Sequence, residues 1–167
     1  MNAETPRWVV RPLTPEPLYT DRQEHLDYLY QTALKAITRR AWSTVLLGQR
    51  RLGKTEIFKR VVNRLFFEQE HYADPHASVV PVFYAFSDTV MDRWEFAHKY
   101  VENFLRWYTA FRMRNPDVLS AEKLPPAELP DFVRAQIRET GYFPYALNTY
   151  AGLLDRTMTL QIGRAHV

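Results

Sequence analysis

The sequence predicts an α/β fold in which a buried strand leads through a phosphate-binding loop into a helix. An apolar run over 43–47 (S-T-V-L-L) has the character of a buried strand, and residues 48–55 after it read G-Q-R-R-L-G-K-T. This stretch fits the P-loop pattern G-x-x-x-x-G-K-[ST]. Apolar residues at helical spacing then predict an amphipathic helix directly after the loop. These residues are Ile57, Phe58, Val61, Val62, Leu65 and Phe66.

Each fixed position of the loop has a chemical role in binding a nucleotide. Gly48 and Gly53 allow backbone conformations that a Cβ would hinder, so the loop can turn its N–H groups towards phosphate oxygens. Lys54, the expected catalytic residue, places an ammonium against the β- and γ-phosphates, and the Thr55 hydroxyl is the expected Mg²⁺ ligand. The alternative is a glycine-containing turn that binds nothing. The predicted nucleotide-binding residues in this stretch are Gly48, Gln49, Arg50, Arg51, Leu52, Gly53, Lys54, Thr55 and Glu56.

Composition is that of a globular protein with one core. Of the 167 residues, 46% are hydrophobic and 25% are charged, which are ordinary proportions. The chain has no cysteine, which excludes disulfides and thiolate metal sites. No apolar run reaches the roughly 18 residues of a membrane span, and the N-terminus has no signal-peptide core. We therefore expect a cytoplasmic location and no membrane partner.

Positive charge is concentrated around the loop. Residues 39–64 contain eight bases and one acid, a local net charge of +7, in a chain whose net charge is +3. Such a field suits a polyanionic ligand, and both a nucleotide and a nucleic acid meet that description. Lys59, Arg60 and Arg64 are also consistent with a solvated helix surface.

A proline-rich arm and a helix precede the loop. Residues 1–18 contain four prolines and are predicted to be extended, without regular structure. Asp21 is a plausible N-cap, and Glu24 three residues later completes a pattern like a capping box. The helix is expected to end near residues 39–40. Its apolar stripe consists of Leu26, Leu29, Tyr30, Ala33, Leu34 and Ile37.

This region resembles a known family. The pattern Y-x-D-R-x-x-H-L-x-x-L over 19–29, followed by the P-loop with its Arg-Arg pair, is similar to the archaeal-type AAA-like and STAND group of P-loop ATPases. The resemblance covers about residues 18–90. It implies that Tyr19 and Arg22 lie near the adenine and the loop, although His25 stands where the family often has Glu. The plain alternative is a well-capped helix.

The resemblance also implies a fold, and one expected part is missing. It implies a three-layer P-loop NTPase sheet with strand order 5-1-4-3-2, of which this chain supplies an incomplete part, truncated before the Walker B strand. Residues 150–155 (Y-A-G-L-L-D) are the candidate for Walker B, but Arg156 follows where Glu is needed, and the spacing also fits a helix. We therefore reject that candidate.

The second half of the chain is predicted to be mainly helical after one strand. Residues 79–86 are interpreted as a second buried strand, followed by Asp88, which is either near the site or an N-cap. A long helix over 92–112 carries aromatics at helical spacing, which favours core packing over base stacking. Residues 115–130 are expected to form a loop or lid. Shorter helices are expected near 128–139, with Gly141 as a C-cap, and near 145–160.

The last residues have an unusual sequence. Residues 162–167 (I-G-R-A-H-V) are the translation of ATCGGAAGAGCACACGTC, a common sequencing-adapter read. We therefore divide the chain into an arm over 1–18, the N-terminal part of a P-loop ATPase domain over 19–160, and a tail over 161–167 that we interpret as non-native adapter read-through. The natural gene is then expected to continue beyond this fragment.

The predicted function is ATP binding with Mg²⁺ through the P-loop, in a parent protein that hydrolyses ATP. The fragment itself is expected to be inactive because it lacks Walker B. Two alternatives are a basic nucleic-acid-binding module and an interaction domain that ignores nucleotide. GTP is less favoured because no N-K-x-D motif is present. A second copy of the chain or another protein is an expected partner through the missing C-terminal part.

Overall fold

The structure is a computed structural model of the chain. It describes residues 8–15, 18–19, 22–40, 43–49, 53–86 and 92–140, together with Gly152 and Leu154. These residues belong to two compact units that divide between Phe83 and Tyr84. Several predicted features lie outside the described residues: Asp21, Asp88, the Gly141 C-cap, the tail over 161–167, and all of 145–160 except Gly152 and Leu154, which are helical.

The α/β prediction is wrong for the part of the chain that the structure describes, where helices form and no strand does. The partial three-layer P-loop NTPase sheet is therefore not formed there. A strand exists only through hydrogen bonds to a neighbouring strand, and neither 43–49 nor 79–86 has one. The first run is also not buried, since the side chains of Val45 and Leu47 are 74% and 87% exposed.

A glutamine takes the place of a partner strand at the start of the second apolar run. The Gln69 amide Nε2 donates to the Val79 carbonyl at 2.8 Å, and Gln69 Oε1 accepts from the Val79 N–H at 2.8 Å. Gln69 is buried and also donates to the carbonyl of Leu65. Both backbone groups of Val79 are thereby satisfied without a sheet, as buried backbone groups require.

The first unit is built from two helices. Helix α1 spans Gln23–Leu34 and continues into a 3₁₀ turn, Lys35–Thr38, while helix α2 spans Lys54–Phe67. The predicted apolar stripes of the two helices meet and form the core. Ile37 and Phe58 are exceptions, being 36% and 38% exposed. The buried members are Leu26, Leu29, Tyr30, Ile57, Val61 and Leu65.

Helix α1 begins and ends differently from the predicted capping pattern. Its N-cap is Arg22, one residue after the predicted Asp21, and no side chain caps it. At the other end Arg39 adopts a left-handed conformation (φ 57°), and its N–H bonds to carbonyls of the 3₁₀ turn. The helical segment therefore stops where the sequence predicts, near residues 39–40.

The described part of the N-terminal arm is bound to α2. Residues 8–15, which we call the N-terminal strap, have no helix or strand. Their backbone is held by the side chains of Glu56, Arg60 and Asn63, which are 4–6% exposed. These three positions lie on one face of α2 at spacings of four and three residues.

The second unit centres on the long helix α3, Arg93–Met113, close to the predicted 92–112. Asp92 is its N-cap. A 3₁₀ turn, Pro116–Leu119, packs back on α3, and α4 spans Leu129–Thr140, close to the predicted 128–139. The region expected to be a loop or lid is thus partly regular. Buried apolar residues of this unit are Leu105, Trp107, Tyr108, Ala110, Phe111, Val118, Leu129, Val133 and Leu154.

The prediction that the aromatic residues of α3 pack in the core is confirmed for the C-terminal half of the helix. The residues of 105–111 are buried, including Tyr108. Towards the N-terminus the prediction is wrong, since Trp94 is 41% exposed. Phe86, Phe96 and Tyr100 are also exposed and contact one another or Tyr84 at ring-centroid distances of 5.2–6.2 Å.

Candidate phosphate-binding site

The end of the predicted loop forms the start of α2. Gly53 is the N-cap and lies in the left-handed region (φ +72°), where a side chain would be strained. No side chain caps this helix end. The first intrahelical hydrogen bond here is from Ile57 N to Gly53 O at 3.1 Å, so the N–H groups before Ile57 have no intrahelical acceptor. A glycine at this position allows the loop to enter the helix sharply.

Lys54, the first residue of α2, holds the beginning of the loop. Its ammonium donates to the carbonyl of Gly48 at 2.7 Å and to that of Gln49 at 2.6 Å. The chain therefore curls so that the carbonyls of residues 48–49 lie within hydrogen-bonding distance of the side chain of the first residue of α2. The lysine and the first glycine of the pattern, six residues apart in sequence, are brought together.

The remaining motif residues are less constrained. Thr55 is exposed in the first turn of α2, where its hydroxyl is accessible to solvent. Gly48 and Gln49 are exposed as well. Arg50, Arg51 and Leu52 lie outside the described residues.

The two residues of the upstream box lie near this helix end and its first turns. A Cβ built on Gly53 would lie 3.4 Å from Arg22 Nη1, so the Arg22 guanidinium is adjacent to the N-cap. Tyr19 lies about two helical turns further along α2, with its ring centroid 3.9 Å from the Arg60 guanidinium carbon. The structure therefore brings Arg22 to the loop and Tyr19 onto the side of α2.

The structure places Glu56 away from solvent, in the contacts that hold the strap. Its carboxylate accepts from the N–H groups of Leu13 at 2.7 Å and Thr14 at 3.3 Å, and from Arg60 Nε at 3.0 Å. Arg60 Nη2 donates to the Thr14 carbonyl at 2.6 Å. Glu56 thus serves as the anionic centre of a buried ion pair.

Sequence reasoning missed the structural roles of Arg60 and Asn63. Asn63 Oδ1 accepts from the N–H groups of Val9 at 2.7 Å and Val10 at 3.2 Å, and its Nδ2 donates to the Val10 carbonyl at 2.7 Å. The available signal was that Glu56, Arg60 and Asn63 recur at helical spacing beside the apolar stripe. A polar run of this kind is ordinarily solvated, and Arg60 was one of the residues expected on a solvated surface.

The basic cluster is partly neutralised within the first unit. Arg60 is paired with Glu56, and Arg64 pairs with both Asp27 and Glu68. Burial opposes the charged form of Arg64, but hydrogen bonds to these two carboxylates outweigh it and raise its pKa. The Lys59 ammonium donates to the Arg11 carbonyl at 3.2 Å. The bases of α2 are therefore engaged with the protein itself more than the sequence suggests.

The described residues contain no group of three or more His, Asp or Glu side chains that could hold a metal ion. A Mg²⁺ ion bound with a nucleotide does not need such a group, because a threonine hydroxyl and phosphate oxygens are its ligands in P-loops. The accessible Thr55 hydroxyl fits that arrangement. In the same part of the chain, no helix is long and apolar enough to cross a membrane.

No protein-family model matches this chain, and no curated protein or solved structure matches it significantly. The resemblance to the AAA-like and STAND ATPases therefore stays a prediction that depends on the residues quoted for it.

Proposed function

We propose that residues 48–55 bind the triphosphate of ATP together with Mg²⁺. One observation carries this proposal: Lys54 is the first residue of an α2 N-terminus that no side chain caps, and its ammonium binds the Gly48 and Gln49 carbonyls of the loop. A helix N-terminus attracts anions through its N–H groups and its partial positive charge. The ammonium adds a full charge at the same place.

Two further residues support binding of a highly charged ligand. The Arg22 guanidinium lies beside Gly53, where it adds a second cation next to the helix end. Thr55 presents its hydroxyl from the first turn of α2. When bound, Mg²⁺ would be held by Thr55 and the phosphate oxygens, and it would neutralise part of their charge.

The proposed reaction of the parent protein is ATP hydrolysis. Water attacks the γ-phosphorus, the bond from that atom to the β–γ bridging oxygen breaks, and ADP and phosphate result. Lys54 and Arg22 would stabilise the negative charge on the phosphate oxygens. The Glu56 carboxylate accepts three hydrogen bonds in the strap contacts, so it is not placed to activate water. We therefore propose binding with little turnover.

The test is calorimetric titration of the protein with ATP and Mg²⁺, comparing wild type with Lys54→Ala. Loss of one charged contact is expected to weaken binding by at least about tenfold. Lys35→Ala is the matched control, because Lys35 is an exposed lysine in the 3₁₀ turn after α1. Circular dichroism establishes that each variant has kept its helices.

Repeating the titration at two salt concentrations separates this proposal from the nucleic-acid alternative. Equal affinity of Lys54→Ala and wild type for ATP would contradict a P-loop site. If a DNA oligonucleotide also bound both variants equally, with affinity falling steeply as salt rises, the chain would instead be a basic polyanion-binding module. If the protein bound neither ATP nor the DNA oligonucleotide, the alternative of an interaction domain that does not use nucleotide would be favoured.

A further inference from the structure

A second candidate site lies in the other unit, beside α3. A cleft of about 340 Å³ is lined by residues of 84–121, with Tyr84 and Ala121 among them. Lys99, Glu102 and Arg106 line it from α3. We call it the α3 cleft. Its lining contains two cations and one carboxylate, all three from α3.

Arg106 is the least exposed charged group of this cleft, at 5%. Its Nε donates to Glu102 Oε1 at 2.8 Å, and its Nη1 donates to the Val118 carbonyl at 3.0 Å. The Nη2 atom is also buried, yet among the described residues no group accepts a hydrogen bond from it. The guanidinium is therefore fixed at two nitrogens and has donors to spare at the third.

A buried donor without an acceptor is unfavourable by about 1–3 kcal/mol, and by more when the group is charged. Most buried polar atoms in native proteins have partners, so an exception requires an explanation such as a bound ion or ligand. Here the atom belongs to a residue that lines a cleft. A ligand oxygen in the cleft would supply the acceptor.

The remaining charges of the cleft favour an anion over a cation. The Glu102 carboxylate is already engaged by Arg106, and its second oxygen lies 3.8 Å from His98 Nε2. Lys99 is exposed and pairs with Glu95 outside the lining, at 2.7 Å. That hydrogen bond raises the pKa of Lys99, so its ammonium is charged at neutral pH.

An apolar wall completes the cleft. Tyr84 lines it, and the ring contacts three other aromatic rings, those of Phe86, Phe96 and Tyr100. Such contacts orient a ring and present a fixed surface to a ligand. Charged donors beside an aromatic wall suit a molecule that has an oxyanion at one end and a carbon framework at the other.

We propose that the α3 cleft binds a small organic oxyanion, either a carboxylate or a phosphate monoester, with its oxygens on Arg106. This site is separate in sequence and chemistry from the P-loop, and it does not depend on ATP binding there. Arg106 is suited to the task because its Nη2 donors have no acceptor among the described residues, and hydrogen bonds between a guanidinium and an oxyanion are stronger than neutral ones.

The experiment is titration of the ¹⁵N-labelled full chain with benzoate, phenyl phosphate and inorganic phosphate, followed by amide NMR shifts. We expect saturable shifts around Lys99, Arg106 and Leu119 with at least one organic probe. Arg106→Gln should weaken that binding at least about tenfold. Arg134→Gln, which removes an arginine from the partly exposed surface of α4, should leave it unchanged.

Arg106→Gln also removes the hydrogen bond to Val118 and could unfold the cleft, so a second variant that keeps Arg106 is needed. Ala121→Trp places a large side chain at an exposed position of the cleft lining and leaves Arg106 intact. It should block the organic probes. The relative affinities of benzoate and phenyl phosphate then identify the preferred oxyanion.

The opposite results would overturn the proposal. Absence of saturable binding by all three probes would do so, as would equal binding by wild type and Ala121→Trp. Binding that is lost in Lys54→Ala but retained in Ala121→Trp would assign the anion to the P-loop instead.

Discussion

Helices α2 and α3 carry similar polar residues and use them differently. Each has a Glu–Arg pair four residues apart in which the arginine is buried, Glu56 with Arg60 and Glu102 with Arg106. In α2, the strap backbone supplies partners for these side chains, and among the described residues neither has a buried polar atom without a hydrogen bond. In α3, the arginine keeps one nitrogen without an acceptor.

At their N-termini the contrast between α2 and α3 is reversed, because a side chain caps the start of α3 and none caps the start of α2. At α3 the Asp92 carboxylate accepts from the N–H groups of Trp94 at 2.7 Å and Glu95 at 2.9 Å. At α2 the N-cap is Gly53, which has no side chain to offer. Among the described residues, each helix thus satisfies one of these polar features and leaves the other without a hydrogen-bond partner. We place the ligands at the two features left without one, the α2 N-terminus and Arg106.

The largest expected effect tests the buried pair of α2. Arg60→Ala removes the cation beside Glu56 and should lower the free energy of unfolding by about 3–5 kcal/mol, because it leaves a buried carboxylate uncompensated. Chemical denaturation at neutral pH measures the loss. Arg134→Ala is the control, because its partner Asp131 is 86% exposed and such a pair contributes about 0–1 kcal/mol. A similar small loss for Arg60→Ala would show that the strap does not depend on this pair.

The next effect tests the polar contacts of the strap. Asn63→Ala should destabilise the protein by about 2 kcal/mol, since it leaves the Val9 and Val10 N–H groups without their acceptor. Amide exchange at these two residues should become faster. Lys59→Ala removes a more accessible contact to the strap, at Arg11, and should change exchange much less. Unchanged protection of Val9 in Asn63→Ala would mean that the strap is held by other contacts.

A smaller effect tests the difference between the helix starts. Asp92→Ala should lower stability by about 1 kcal/mol, because the N–H groups of Trp94 and Glu95 lose their acceptor. Thermal denaturation followed by circular dichroism measures the change. Asp92→Ser keeps an acceptor oxygen and should retain most of the stability. If the serine and alanine variants melted alike, the cap would contribute little.

The smallest effect is confined to alkaline pH. Burial, followed by the nearby Glu68 charge, raises the pKa of Tyr30 above its usual value near 10, against the opposing effect of Arg64. The neutral phenol is therefore favoured in the folded state. Its stabilising contribution is full below about pH 10 and is lost as the pH rises through the folded-state pKa. Tyr30→Phe should lose stability less steeply than wild type above about pH 10, and parallel pH profiles would refute this.

The helices were predictable because periodicity is a local signal. The spacing of apolar residues predicts α2 and places Ile57, Val61 and Leu65 in the core, as observed. The long helix over 92–112 and the helix near 128–139 are also confirmed to within about a residue at their starts. In each case the information lies within a few turns of the helix itself.

The sheet could not be predicted in this way, because a strand depends on a partner that is distant in sequence. The run over 43–47 is apolar, but Val45 and Leu47 remain exposed in the absence of a neighbouring strand. The prediction took the strand order from the family resemblance and already expected an incomplete sheet, whereas the described residues form no strand at all. The strap was missed for a related reason, since the sequence gives no sign that Asn63 bonds a backbone 53–54 residues earlier.

The two hydrogen bonds between the Gln69 side-chain amide and the Val79 backbone have a consequence for the order of folding. Its two ends are only 10 residues apart, whereas the hydrogen bonds of Glu56 and Asn63 to the strap connect residues 42–54 apart. Closing a loop of about ten residues takes on the order of 10–100 ns, and longer closures lose more chain entropy. We therefore expect Val79 to be protected early and Val9 late in pulsed exchange during refolding. The helical core of the first unit would form first, and the N-terminal strap would dock on α2 as the last step.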